Sequence, residues 1–131
     1  MSTEQLIKIF GAKAAVHVRF SGELRSLASK LAAGLMLPEF SIQPREAPPH
    51  DEIGSVEALG WEVWLEKSDA VQSFQYTLKM ETTHSLEESF HDQMHDLSPW
   101  LARYVSSICK TETLISGTQI VFSRGNPERL D

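Results

Sequence analysis

Trp61-Glu62-Val63-Trp64-Leu65-Glu66-Lys67 and, after the turn-like Ser68-Asp69, Phe74-Gln75-Tyr76-Thr77-Leu78-Lys79-Met80 are the two segments on which the fold turns. In the first, Trp61, Val63 and Leu65 alternate with Glu62, Trp64 and Glu66; in the second, Phe74, Tyr76, Leu78 and Met80 alternate with Gln75, Thr77 and Lys79. Successive side chains of a strand point to opposite faces, so this two-residue period predicts two half-buried strands, 57–67 and 73–81, joined as a hairpin.

Toward the N-terminus the period changes. Leu24, Leu27, Ala28, Leu31, Ala32 and Leu35 form one apolar stripe with Arg25, Ser26, Ser29 and Lys30 facing away, which predicts an amphipathic helix capped by Ser21 and ended by Gly34 and Pro38. Ahead of it, Leu6–Phe10 and Ala15–Phe20 show strand periodicity, and Gly11 between them is either a bulge in one long strand or the bend between two short ones. Residues 38–55 hold four of the six prolines together with Arg45, Glu46, His50, Asp51 and Glu52, and one short candidate strand around Phe40 and Ile42. They read as an exposed excursion, either a functional loop or a connector.

Toward the C-terminus, residues 82–96 are polar, with Leu86, Phe90 and Met94 at a spacing that suits a short helix or an ordered loop. Ser98-Pro99 predicts a helix start, with Trp100, Leu101, Tyr104, Val105 and Ile108 as the apolar face and an end near Lys110. Residues 113–123 supply one or two further strands with a turn at Ser116-Gly117, and 124–131 read as a polar, fraying tail. The element order predicts an α+β two-layer sandwich: an antiparallel-rich sheet with both helices on one face, in ferredoxin-like βαββαβ order with an insertion at 38–55.

The chain has 131 residues, one domain's worth, spanning 1–131. With 41% hydrophobic and 23% charged residues it is an ordinary globular composition rather than a disordered or low-complexity one. Eighteen acidic residues against twelve basic ones leave a net charge of -6, the wrong sign for a protein whose main partner is a nucleic acid backbone or an anionic membrane. A neutral or basic protein partner is expected instead. The single Cys109 excludes an intramolecular disulfide and reads as a core thiol, and no export signal or apolar run of about 18 residues is visible, which together point to a soluble cytoplasmic protein.

His91 and His95 are the sharpest chemical candidates, since imidazoles four apart on a helix share a face and can share a divalent metal. The rest of the set is missing. Asp92 stands where a zincin carries glutamate, and the fold would have to bring in His84, His50 or Cys109 as a third ligand; no metal and no other cofactor are expected. Carboxylate pairs such as Glu62 with Glu66, or Glu87 with Glu88, read as solvated surface, and there is no nucleophile elbow or glycine-rich phosphate loop. No interleaved basic and aromatic motif supports RNA binding.

Trp64 is the more informative residue. If Trp61, Val63 and Leu65 face the helices, alternation turns Trp64 to the other face between Glu62 and Glu66, an aromatic in an acidic frame of the kind that anchors a cationic partner. Otherwise it packs beneath the 38–55 excursion. With Asp51 and Glu52 as a second contact, these residues form the expected partner-binding set.

A short acidic α/β chain carrying Gly60-Trp61-Glu62-Val63-Trp64-Leu65-Glu66 and the late helix from Ser98 to Val105 resembles the small immunity proteins that neutralise bacterial polymorphic toxins. That resemblance implies tight binding to a toxin domain, often a basic nuclease, through an acidic surface. Two other classes remain: a secretion-type chaperone, which would leave an apolar helix face for dimerisation, and a small enzyme using His91 and His95, which would need a concave pocket around them.

Overall fold

The alternating segments pair as their periodicity requires. The computed structural model describes residues 11–46, 51–82 and 94–129. Within them lie β1 (Gly11–Val18), α1 (Leu24–Gly34), β2 (Ser41–Pro44), β3 (Glu52–Ala58), β4 (Trp61–Val71), β5 (Phe74–Thr82), β6 (Met94–Asp96), α2 (Ser98–Cys109), β7 (Glu112–Ile115), β8 (Ile120–Ser123) and β9 (Asn126–Arg129). The main sheet runs β2-β3-β4-β5-β1-β7-β8-β9 with every adjacent pair antiparallel, and β6 adds to β1 as a short parallel strand. Among the described residues the protein is therefore α+β, an antiparallel main sheet with two helices.

The register sets the core. Val63 lies opposite Met80 and Leu65 opposite Leu78, while Ala14, Val16 and Val18 of β1 line up with Met80, Leu78 and Tyr76, so these side chains share one face of the sheet. Leu24, Leu27 and Leu31 of α1 and Leu101, Ala102 and Val105 of α2 are buried in the same cluster, which puts both helices on that face. Each leucine so buried contributes about 1.5–3 kcal/mol relative to leaving it in water. A second, smaller cluster joins Phe74, Leu114 and Val121, with Val71 packed against it.

Several elements differ from the sequence reading, each for a local reason. The stretch 38–55 holds the short strand expected around Ile42 and a second one besides: Ser41–Pro44 and Glu52–Ser55 pair as an edge hairpin, held where Gly54 lets Phe40 and Ile42 approach the sheet; a Cβ there would meet Ile42 Cδ1 at 3.1 Å and Phe40 Cδ2 at 3.3 Å. The tail is not all frayed, because Asn126–Arg129 pair with Ser123–Ile120. Helix α1 is preceded by Glu23, not Ser21, and has no side-chain cap. Ser98 lies inside α2 rather than capping it: its amide donates to Asp96 Oδ1 at 2.9 Å, while its Oγ accepts the amide of Ala15 at 3.0 Å, tying the helix start to β1.

Helix α2 is also rotated from its expected setting. It buries Leu101, Ala102, Val105, Ser106 and Cys109, and leaves Trp100 and Tyr104 50% and 40% exposed, stacked on each other with ring centroids 5.7 Å apart. Small residues explain the rotation, since Ala102 and Ser106 let the helix backbone come close to the sheet. Thr113 Oγ1 donates to the Ala102 carbonyl at 2.7 Å, and the Gly125 amide donates to Ser106 Oγ at 2.8 Å. Met94–Asp96 is a strand rather than the end of a helix. No helix among the described residues is long and apolar enough to cross a membrane.

Candidate functional site

Alternation along β4 turns Glu62, Trp64 and Glu66 away from the helices, and the partner strands populate the same face by register. One cross-strand row is Glu57, Glu62, Glu81 and Lys13; the next is Ser55, Trp64, Lys79 and Ala15; the third is Ile53, Glu66, Thr77 and His17. In the first row three carboxylates stand directly opposite one another, an arrangement that works against the sheet unless a cation offsets it. Trp64 is half-buried rather than sealed under residues 38–55. It lines an open depression of about 440 Å³ together with Glu39, Ser41, Ser55, Glu57 and Glu62.

The sequence-predicted contact residues divide into two groups. Glu62, Trp64 and Glu66 are brought onto one face, and among the described residues Glu39, Glu57, Glu62 and Glu66 enter no ion pair. Asp51 and Glu52 sit at the far end of β3 from Glu57 and already have partners. Arg45 Nε lies 2.9 Å from Asp51 Oδ1, and Arg25 Nη2 of α1 lies 2.8 Å from Glu52 Oε2. Their charge is neutralised within the chain, whereas that around Trp64 faces outward. Glu39 and Glu57 were missed in the sequence reading. Glu57 could have been found by counting outward from Leu59-Gly60, a two-residue turn with φ of 54° and 82°, across which Ala58 meets Trp61 and Glu57 meets Glu62.

The open face changes character along its rows. Toward β7 it is closed: His17 is 8% exposed and shares a 2.9 Å hydrogen bond with Thr77 Oγ1, and Leu114 and Val121 are buried. Burial, with the nearby Lys79 charge, pushes the His17 imidazole below its ordinary value. Asp96 is pushed up by burial, but the hydrogen bonds from Ser98 and the charges of Lys13 and His95 outweigh this and hold its carboxyl below the usual range. Burial raises the Cys109 thiol against the opposing pull of Lys30, which leaves it protonated and inert, consistent with a core thiol.

His95 lies exposed on β6, and His91, with the other two histidines considered as metal partners, lies outside the described residues. Among the described residues no three His, Cys, Asp or Glu side chains are grouped to hold a metal ion. The arrangement around Trp64 is suited to binding: carboxylates accept hydrogen bonds from lysine or arginine, and an indole face attracts a guanidinium. Compared with known proteins, the chain matches no family model, no curated protein and no solved structure.

Proposed function

We propose that this chain is a binding protein of the immunity type, which neutralises a basic toxin domain in the cytoplasm by covering it with the Trp64 face. The observation that carries the reading is the half-buried Trp64 set among Glu39, Glu57 and Glu62, carboxylates with no internal ion-pair partner among the described residues. An aromatic with carboxylates toward the sheet edge and Lys79 as its inner cross-strand neighbour combines an anchor with electrostatic steering at that edge. The order β4-β5-β1-β7, with α1 and α2 in the connections on one face, supports reading the scaffold as a ferredoxin-like unit extended at both edges. On that scaffold the helices stabilise one side of the sheet and leave part of the other for a partner.

The test is co-expression with a toxin domain encoded beside this reading frame, scored by growth and by binding of the purified pair. The wild-type chain should rescue growth, Trp64→Ala should speed dissociation by a factor equivalent to about 2 kcal/mol or more, and Glu62→Gln with Glu66→Gln should slow association and flatten its salt dependence. Unchanged kinetics in both variants would remove this face from the interface. A stable dimer lost in Trp100→Ala would favour the chaperone class instead.

A further inference from the structure

The depression beside Trp64 is also a gap in the edge of the sheet. Strand β3 pairs with β4 from Ile53 to Ala58, but β2 accompanies it only from Glu52 to Ser55. Phe40, the residue before β2, is buried in the helix-side core near Gly54, and the pairing with β3 stops at Ser41 opposite Ser55. Val56, Glu57 and Ala58 consequently have no outer strand among the described residues. Backbone groups of alternate residues along such an edge point outward and can pair with an added strand.

This gap lacks the prolines of the outer edges. The edge strands β2 and β9 contain Pro44 and Pro127, residues that interrupt pairing by a further chain. The open stretch of β3 has neither proline nor lysine, and it runs into Leu59, whose side chain is 100% exposed on a backbone at φ 54°. A leucine in that conformation contributes nothing to the turn, where asparagine or glycine is preferred. Facing the same gap are the carboxylates of Glu39, Glu57 and Glu62 and the ring of Trp64.

We infer that the gap receives an extended, basic segment of the partner, which adds as a strand along Val56–Ala58. Its backbone pairs with β3, its lysine or arginine side chains alternate onto the face of Glu57, Glu62 and Trp64, and an apolar residue covers Leu59. This rests on the binding function proposed above and names the part of the partner that is held.

The probe is a blocked heptapeptide of alternating lysine and valine, added to the isotope-labelled full chain and followed by NMR shifts and amide exchange. Shifts should centre on Val56–Ala58, Glu62 and Trp64, with slowed exchange at one or more amides of the open stretch. Methylating alternate backbone nitrogens of the peptide should lower affinity by about tenfold or more, the equivalent of one or two lost hydrogen bonds. Leu59→Asn should raise the melting temperature yet weaken the peptide, and Glu57→Gln with Glu62→Gln should weaken it in a salt-dependent way. Equal binding of the methylated peptide, with shifts on the acidic face but no protection at 56–58, overturns strand addition and leaves the cation-binding face standing. Absence of shifts anywhere on the face at millimolar peptide overturns both.

Discussion

Leu65 and Trp64 are neighbours in the chain and opposites in the fold. Leu65 is 0% exposed between the sheet and the helices, opposite Leu78, whereas Trp64 lies half-buried on the other face, opposite Lys79 and beside carboxylates. The helix-side face is apolar through the middle of β4, β5 and β1, at Val63, Leu65, Tyr76, Leu78, Ala14, Val16 and Val18. The other is graded, closed around His17, Leu114 and Val121 and polar around Trp64. Core burial and the proposed recognition thus fall to alternate residues of the same strands, so each can change without the other.

That separation should be visible in paired variants. Leu65→Ala or Leu31→Ala, each removing a side chain with no exposed surface, should cost about 2–5 kcal/mol in urea denaturation. Trp64→Ala should cost clearly less and act on partner dissociation instead. If Trp64→Ala destabilised the fold as much as Leu65→Ala, the two faces would both be core and the division would fail.

The closed part of the open face carries a pH dependence. The imidazole of His17 has a folded-state value below its ordinary 6.5, so between the two values the unfolded chain binds more protons. Its contribution to stability is present above about pH 6.5 and is lost as pH falls through the lowered folded value. Wild type should therefore lose stability between pH 7.5 and pH 5, and His17→Asn should remove that part of the loss. An identical pH profile in His17→Asn would show that the imidazole stays accessible to protons in the folded protein.

A smaller effect of opposite sign is expected at the acidic row. Glu62 stands between Glu57 and Glu81, and Glu62→Gln should leave the fold equally stable or raise its stability by about 0.2–1 kcal/mol at low salt. Arg25→Gln, which breaks the exposed pair with Glu52, should lower it by no more than about 1 kcal/mol. A loss on Glu62→Gln would mean that the carboxylate has a structural partner. Smallest of all, chelator should leave the melting temperature unchanged; a fall of many degrees would promote His91 and His95 to ligands.

Much of this was legible before the structure. The period along 61–65 and 76–80 specified which side chains share a face, because pleating leaves a regular strand no other choice, and the leucine stripe specified the buried side of α1; Phe74, expected on the same face, instead joins Leu114 and Val121 beyond the irregularity between Lys67 and Val71. The outward direction of Trp64 followed from the same rule. Local signals failed where a residue had two uses: Ser98 resembles a cap yet gives its hydroxyl to β1, and Trp100 and Tyr104 are apolar yet lie outside the seam because Ala102 and Ser106 pack closer.

By itself, then, the sequence determined the elements with a clear hydrophobic period and the acidic balance of the chain, since both follow from residue spacing and count. Only tertiary structure decided which acids act together. Asp51 and Glu52 were expected to act as a second contact beside Glu62 and Glu66, but Arg45 and Arg25 reach them, while strand register aligns Glu57 with Glu62 beside Trp64 at the gap that β2 leaves open. Coulomb interactions depend on distance in space, and the pairing of strands far apart in sequence sets that distance.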